Sequence, residues 1–396
     1  MMGDPWLAII GLGEDGLAGL TDASRDALAR VEIVFGGPRH LALVGAGARG
    51  RAWPVPFDVG AVLATKGSNV AVLASGDPFW HGAGGSLAAH LDPSEWRCFP
   101  GVSTFSHAAA KLGWRIEDVA CLGLHAAPFA RLLPHLAAGR RAICLLRDGA
   151  AVADLAAWLV LHGQSEARLW VMEALGGPSE RVRQMRADDA GLPEIGSLVA
   201  VAVEPVGRLT TGLPMTPGLP DASFVHDGQI TKAPIRALTL AALAPRPREL
   251  LWDIGAGSGS VSVEWCRAGG RAIAIEVRAD RLANIRANIG SFGLLGQMQV
   301  VEGSAPDATE GLAVPDAIFV GGGANQGLLQ ALWDALPEGG RMVCNGVTLE
   351  TEALLADWHG AKGGSLMRID LAQAAPLGRM RGWLAARPVV QWSVVK

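Results

Sequence analysis

Tyrosine is missing from all 396 residues, so no phenol can serve as acid, base or nucleophile. Lysine is scarce. Lys66, Lys111, Lys232, Lys362 and Lys396 are the only lysines, and nearly all positive charge is arginine. Arginine is the better fork for carboxylates or phosphates, although an Ala- and Gly-rich coding bias gives the same excess. A net charge of -4 without a basic tail argues against nucleic acid as a partner. Cys98, Cys121, Cys144, Cys266 and Cys344 form no CxxC pair. Their odd number and apolar settings suit reduced thiols in a cytoplasmic protein, not a disulfide frame or a zinc site. No stretch reaches roughly 18 uninterrupted apolar residues, so no membrane span is expected. Nor does the N-terminus show the basic lead and apolar run of a signal peptide. The histidines are dispersed, and neither a metal-ligand spacing nor a Ser–His–Asp arrangement stands out. No residue is therefore assigned as acid, base or nucleophile.

What is present is apolar residue and glycine in a regular order. Half of the residues are hydrophobic, and the length predicts two or three α/β domains with sizeable cores. The organising stretch is Leu250 to Val261. A short apolar strand ends in Asp253, the alternate glycines Gly255, Gly257 and Gly259 follow, and a helix begins. Glycines there let the backbone take positive φ and let a ligand approach, while the helix offers free N–H groups to it. About twenty residues on, the strand Ala272 to Ile275 ends in Glu276, an acid placed to accept ribose hydroxyls. This is a nucleoside-binding βαβ unit.

Two cofactors compete for it. A dinucleotide loop places its third small residue at position 260, which is Ser260 here, and an acid at 253 would oppose a pyrophosphate. S-adenosylmethionine carries an amino group and a sulfonium, and Asp253 suits those charges. Glu276 then takes the ribose, and Gly303, Ser304 and Ala305, after the strand Met298 to Val301, can border the adenine.

Earlier in the chain, Trp6 to Ile10 runs into Gly11-Leu12-Gly13-Glu14-Asp15-Gly16. Taken alone this fits GxGxxG, but the next strand, Val31 to Phe35, ends in Gly36-Gly37-Pro38 instead of an acid. A dinucleotide turn and a plain strand-to-helix turn both fit. The strand Asn69 to Ala74 ends in Ser75-Gly76-Asp77-Pro78, and Pro100-Gly101-Val102-Ser103-Thr104 opens a helix with Ser103 or Thr104 as N-cap. Fresh strands at 141–146, 168–172 and 197–203 predict a second lobe with a more mixed sheet. Residues 206–222 crowd Gly207, Gly212, Pro214, Pro217, Gly218 and Pro220 without periodicity and read as a linker. Beyond it, Thr231 is expected to cap a helix running to Leu243. Alternating strands and helices then predict a doubly wound sheet, closed by an antiparallel pair at 365–369 and 388–394.

Residues 223–396 resemble the CbiT-type class I methyltransferases of corrin synthesis. Gly228-Gln229-Ile230-Thr231-Lys232 and Asp253-Ile254-Gly255-Ala256-Gly257-Ser258-Gly259 carry that likeness. Residues 5–205 resemble the CbiE-type tetrapyrrole methylases, through Gly11-Leu12-Gly13, Ala74-Ser75-Gly76-Asp77-Pro78, Pro100-Gly101-Val102-Ser103-Thr104 and Leu175-Gly176-Gly177-Pro178. Joined in this order they resemble the fused, decarboxylating C5,15-methyltransferases of that pathway, which make vitamin B12 precursors. The resemblance implies a two-lobed class III methylase fold over residues 1–205, with lobes about 1–120 and 121–205, and a Rossmann-like class I fold over 223–396. It implies an S-adenosylmethionine site in each half. In the first half the cofactor lies folded between the lobes, near Gly76, Asp77, Ser103 and Thr104, with Gly11 and Gly13 on the substrate side. In the second it lies at Gln229, Thr231 and the loop from Asp253. The first half would methylate C5 of a precorrin, and the second C15 with loss of CO₂ from the C12 acetate. Homo-oligomers are expected, since the class III relatives are dimers and the CbiT-type proteins tetramers. The substrate is a polyanion, for which Arg379 and Arg381 are candidate contacts. Two other readings remain at this stage: a protein that binds S-adenosylmethionine or a tetrapyrrole without turnover, and an NAD-dependent dehydrogenase.

Overall fold

The computed structural model describes residues 5–206 and 212–396. The chain forms two compact units, Met1–Gly212 and Leu213–Lys396.

The first unit holds two sheets. Leu7–Leu12 (β1), Ile33–Gly36 (β2), Gly50–Ala52 (β3), Val70–Ser75 (β4) and Trp96–Phe99 (β5) form a parallel sheet in the order β3-β2-β4-β1-β5. Its central strands β1 and β4 are continuous apolar runs, as strands covered on both faces must be. The second sheet joins Val119–Gly123 (β6), Arg141–Leu145 (β7), Arg168–Glu173 (β8), Arg181–Arg186 (β9) and Val199–Glu204 (β10) in the order β6-β7-β10-β8-β9. Only β6 and β7 run parallel, so this lobe is mixed as expected. β3 and β9 are strands the apolar pattern does not reveal, whereas β6, Val-Ala-Cys-Leu-Gly, is a short apolar run. β9 reads Arg-Val-Arg-Gln-Met-Arg, an edge strand whose arginines Arg181 and Arg183 pair with Glu173 on β8.

The second unit is a seven-stranded sheet. Leu250–Ile254 (β11), Arg271–Glu276 (β12), Met298–Glu302 (β13), Ala317–Val320 (β14) and Arg341–Gly346 (β15) run parallel. Ser365–Ile369 (β16) follows. Ala372–Leu377 (β17) and Met380–Ala385 (β18) pair only with each other, as a separate hairpin. Val389–Val395 (β19) inserts antiparallel between β15 and β16, giving the order β13-β12-β11-β14-β15-β19-β16. The strand order reverses between β11 and β14, and the carboxyl ends there form the crevice where such sheets bind ligands. Apolar clusters cover both faces of the sheet, one including Leu240, Val263 and Ile285, the other Leu329, Leu355 and Trp392.

Residues 207–211 of the expected linker lie outside the described residues. Its later part is tied down. Leu219 is fully buried, and the Gly218 and Leu219 N–H groups donate to Glu264 at 2.7 and 3.0 Å. Glu264 also accepts from Arg236 Nε at 2.5 Å, and Arg236 itself is 0% exposed. The guanidinium spends its other N–H groups on the carbonyls of Leu219 and Thr231 and on Asp221. This buried pair therefore clamps both ends of the segment 218–231. Removing one partner strands the other charge, which costs about 3–5 kcal/mol. Glu264→Ala is expected to destabilise the second unit by that amount in chemical denaturation, and Arg236→Met with Glu264→Leu to recover most of it.

The same clamp explains one departure from expectation. Thr231 does not cap the following helix. The helix is Ala233–Leu243, its N-cap is Lys232, and the Ala233 N–H is satisfied by Asp221 at 3.0 Å. The Thr231 carbonyl is turned toward Arg236 instead.

Candidate active sites

In the second unit, β11 delivers Asp253 and β12 delivers Glu276 to the carboxyl edge, with the glycine loop between them. Gly255, Gly257 and Gly259 all adopt positive φ, at 67, 60 and 71°. A methyl group on Gly259 would stand 2.8 Å from Met298 Cε, the end of a flexible side chain that can yield, so the positive φ is the firmer reason for glycine there. A methyl on Gly257 would stand 3.7 Å from the Gln229 carbonyl oxygen, so the segment held by the Arg236 clamp passes directly over the loop. Gln229 also accepts from Arg281 at 2.5 Å.

The two acids differ. Glu276 is wrapped in backbone donors: Gly257 N–H at 2.9 Å on one oxygen, Val277 and Arg278 N–H at 2.9 and 3.0 Å on the other. Those bonds hold the loop in shape and leave capacity for a further donor, since a carboxylate has about four acceptor sites. Asp253 is 1% exposed. One oxygen accepts from the Ser262 hydroxyl at 2.7 Å and the other has no partner among the described residues. Burial, with a smaller push from Glu276, raises its carboxyl to about 6 against the lowering bonds from Ser262. A buried carboxylate oxygen without a donor can be satisfied by an incoming cation. Gly303 follows β13 and its N–H donates to the Glu276 carbonyl at 3.0 Å, which sets Ser304 and Ala305 beside the same edge.

In the first unit, β1, β4 and β5 end together. A methyl on Gly11 would stand 2.0 Å from the Gly76 carbonyl oxygen and 2.3 Å from Gly101 N. Gly101 N–H donates to that carbonyl at 3.2 Å, and Gly76 N–H to the Leu12 carbonyl at 2.9 Å. Gly11 thus lies inside β1, and the residue is small because two neighbouring loops press on it. Gly76, at φ 54°, would place a methyl 2.8 Å from Ser103 Cα. Ser103 caps the helix Thr104–Leu112, accepting from Ser106 N–H at 3.1 Å. Around this junction lies a cavity of about 240 Å³ lined by Asp77, Ser103, Thr104, His40 and His81, among others. His81 is held at φ 58°, an uncommon conformation for a residue with a side chain.

The profile described as tetrapyrrole (corrin/porphyrin) methylases matches residues 7–191, and that described as precorrin methyltransferase domain matches residues 222–396. A precorrin-6Y C5,15-methyltransferase (decarboxylating) of Sinorhizobium sp is 47% identical over 99% of this chain and 97% of its own length. The chain belongs to this family of precorrin-6Y C5,15-methyltransferases. A Mycobacterium tuberculosis member is 41% identical over 98% of this chain and 100% of its own length. The crystal structure of the C-terminal domain of the Rhodobacter capsulatus member is 60% identical, covering 46% of this chain and all of that one, with a TM-score of 0.46.

A precorrin methyltransferase has no use for a dinucleotide turn, and the Gly11–Gly16 stretch is not one. Gly11 belongs to a strand and Gly13 to a tight turn, its carbonyl accepting from Gly16 N–H at 3.2 Å. Most other residues expected for this family's sites fall at the two sheet edges. Arg379 and Arg381 do not join them among the described contacts. They sit on the β17–β18 hairpin, Arg379 in its turn and Arg381 opposite Pro376, both exposed. What the sequence does not disclose is the set around the first cavity: His40, Trp53, Ser75, Trp80 and His81. Ser75 and Trp80 stand at the two ends of the stretch Ser75-Gly76-Asp77-Pro78-Phe79-Trp80, but His40, Trp53 and His81 carry no motif.

Proposed function

We propose that this chain transfers two methyl groups from S-adenosylmethionine to a precorrin, at C5 through the first unit and at C15 through the second, with loss of CO₂ from the C12 acetate. The observation that carries this reading is the full-length likeness to a two-activity family in a chain that has two separate sheet-edge cradles. When bound, the cofactor supplies a methyl group already activated on a sulfonium. The protein's part is then position, worth roughly 7–11 kcal/mol of barrier in favourable cases. In the second unit Asp253 would hold the amino group with its unpartnered oxygen, Glu276 the ribose, Gln229 and Thr231 would cover the ligand, and Gly303, Ser304 and Ala305 would border the adenine. In the first unit Gly76, Asp77, Ser103 and Thr104 would hold the second cofactor and Gly13 would face the macrocycle, whereas Gly11, buried under two loops, would only set the junction behind them. Loss of CO₂ needs the acetate oriented and desolvated beside an electron-poor ring, more than it needs a base. Incubating the full chain with a precorrin-6Y preparation and methyl-labelled S-adenosylmethionine tests this. Two labelled methyls and one carboxyl lost are expected; ligand binding without methyl transfer would reduce the protein to a binding role.

A homo-oligomer is part of the proposal. The β17–β18 hairpin exposes Leu377, Met380, Trp383 and Leu384 by 68–79%, and a lone two-stranded hairpin is marginal in water. A second copy of the chain is the natural cover. Trp383→Asp with Leu384→Asp is expected to reduce the mass measured by light scattering, and an unchanged mass would count against the hairpin as the interface.

A further inference from the structure

The loop after β2 brings a group into the first cavity that no motif marks. Pro38–Leu43 is a short helix, and His40 on it lines the cavity together with Gly37, Ser75 and Asp77. Three loops fix the imidazole. Arg39 pairs with Glu14 of the Gly11–Gly16 stretch. Its other amino group lies 2.8 Å from His40 Nε2 and donates to Ser75 Oγ at 3.0 Å. Ser75 Oγ in turn lies 2.9 Å from Nε2.

These contacts decide the tautomer. Arginine can only donate, so Nε2 must accept, and the ring proton sits on Nδ1. Burial, and then the Arg39 charge, hold the imidazole down at about 4, so the ring is neutral near pH 7. Nδ1–H is buried and has no acceptor among the described residues. Leaving such a donor unpaired costs about 1–3 kcal/mol, which an incoming acceptor would recover. A methyl on Gly37 would stand 3.7 Å from Nδ1, and the glycine keeps that space free of side chain. Asp77 and His81 are the other titratable groups lining the cavity. The Asp77 side chain is engaged with Phe79 N–H at 2.8 Å.

We infer that His40 positions the macrocycle for C5 methylation by donating its Nδ1–H to one of the substrate's carboxylate side chains, with Arg39, itself paired with Glu14, fixing the tautomer. This rests on the proposed C5 activity of the first unit. The role is that of a donor. With Nε2 occupied by Arg39 and Ser75, the ring has no free lone pair with which to take a proton from the reacting carbon.

The test is steady-state C5 methylation by the full-length chain, using a macrocycle already methylated at C15 and decarboxylated. His40→Leu removes the donor, whereas in His40→Asn the amide nitrogen takes the place of Nδ1. For His40→Leu the macrocycle KM is expected to rise about tenfold or more, the worth of a hydrogen bond to a charged group, with kcat and the KM for S-adenosylmethionine within about twofold. His40→Asn is expected to restore most of the macrocycle KM. An unchanged KM in His40→Leu overturns the inference, as does a fall in kcat alone, which would mean proton transfer. A raised KM for both ligands in both variants also overturns it, since that is the mark of a merely structural residue. Wild-type protein that adds no methyl at C5 would sink the proposed activity and this inference with it.

Discussion

Asp253→Asn is expected to stabilise the second unit while slowing its chemistry. The folded carboxyl titrates at about 6, above the ordinary value near 3.9. The folded state therefore holds the proton more tightly than the unfolded chain does. Stability falls as pH rises through the window between these values, and the full penalty of the buried charge is present above it. The rise to about 6 corresponds to about 3 kcal/mol, part of which a buried amide would give back through its own unmet hydrogen bonds. At pH 7.5 the unit's melting temperature is expected to rise by about 3 °C in Asp253→Asn, with the gain disappearing toward pH 4. Function moves the opposite way. The unpartnered oxygen is the proposed seat of a cationic amino group, and its loss is worth about 2–4 kcal/mol. C15 methylation and CO₂ loss are then expected to fall by roughly 30- to 1000-fold. Calorimetry across pH and product analysis at pH 7.5 check the two halves separately. For the same reason the wild-type affinity for S-adenosylmethionine in this unit should tighten between pH 5 and 7, as the carboxyl gives up its proton.

Gly11→Ala is expected to do the reverse, removing C5 methylation and sparing C15. The added carbon would meet the Gly76 carbonyl at 2.0 Å and Gly101 N at 2.3 Å, both backbone atoms that cannot rotate away. The strand or the two loops must shift. Overpacking of this kind costs about 1–3 kcal/mol or more, and a misplacement of ~1 Å can lower a positioned reaction about 100-fold. The loops that would move carry Gly76, Asp77, Ser103 and Thr104, so the C5 rate is expected to fall at least about 100-fold. Product analysis of the variant checks this.

The junction at Gly11 also shows where sequence reading succeeds and stops. The motifs at 11–13, 74–78 and 100–104 could be placed at one sheet edge because each follows an apolar strand and precedes a turn. Their role could not be read singly. The glycine at 11 looks like a flexible turn residue, whereas the fold needs it small at a point where three backbones meet. Asp253 and Glu276 were legible as a pair because their spacing is set by one βαβ unit. Arg236 and Glu264 were not, since a helix arginine looks like solvent-facing charge until a segment from 218–231 folds over it. His40 is the same case: Ser75, which meets its ring, ends a strand 35 residues further on, and Glu14, which pairs with its neighbour Arg39, comes from the turn after β1, so only the packed sheet brings them together. The hairpin at 372–385 is not legible in the sequence because Pro376 and Gly382 break up its short strands, and with Gly378 in the turn the whole stretch reads as turn.

The two-site claim is tested most directly by complementation between full-length variants. Gly11→Ala and Asp253→Asn are incubated with the precorrin substrate and S-adenosylmethionine, each alone and then mixed, and the products are examined by mass spectrometry. Over the time the wild type needs to finish, Gly11→Ala alone should mostly add one methyl and lose one CO₂, Asp253→Asn alone should decarboxylate roughly 30-fold or more slowly than the wild type, and the mixture should restore both methyls with CO₂ lost. If either variant alone makes the doubly methylated product at the wild-type rate, or the mixture fails although each variant is folded, two independent sites in one chain is the wrong description.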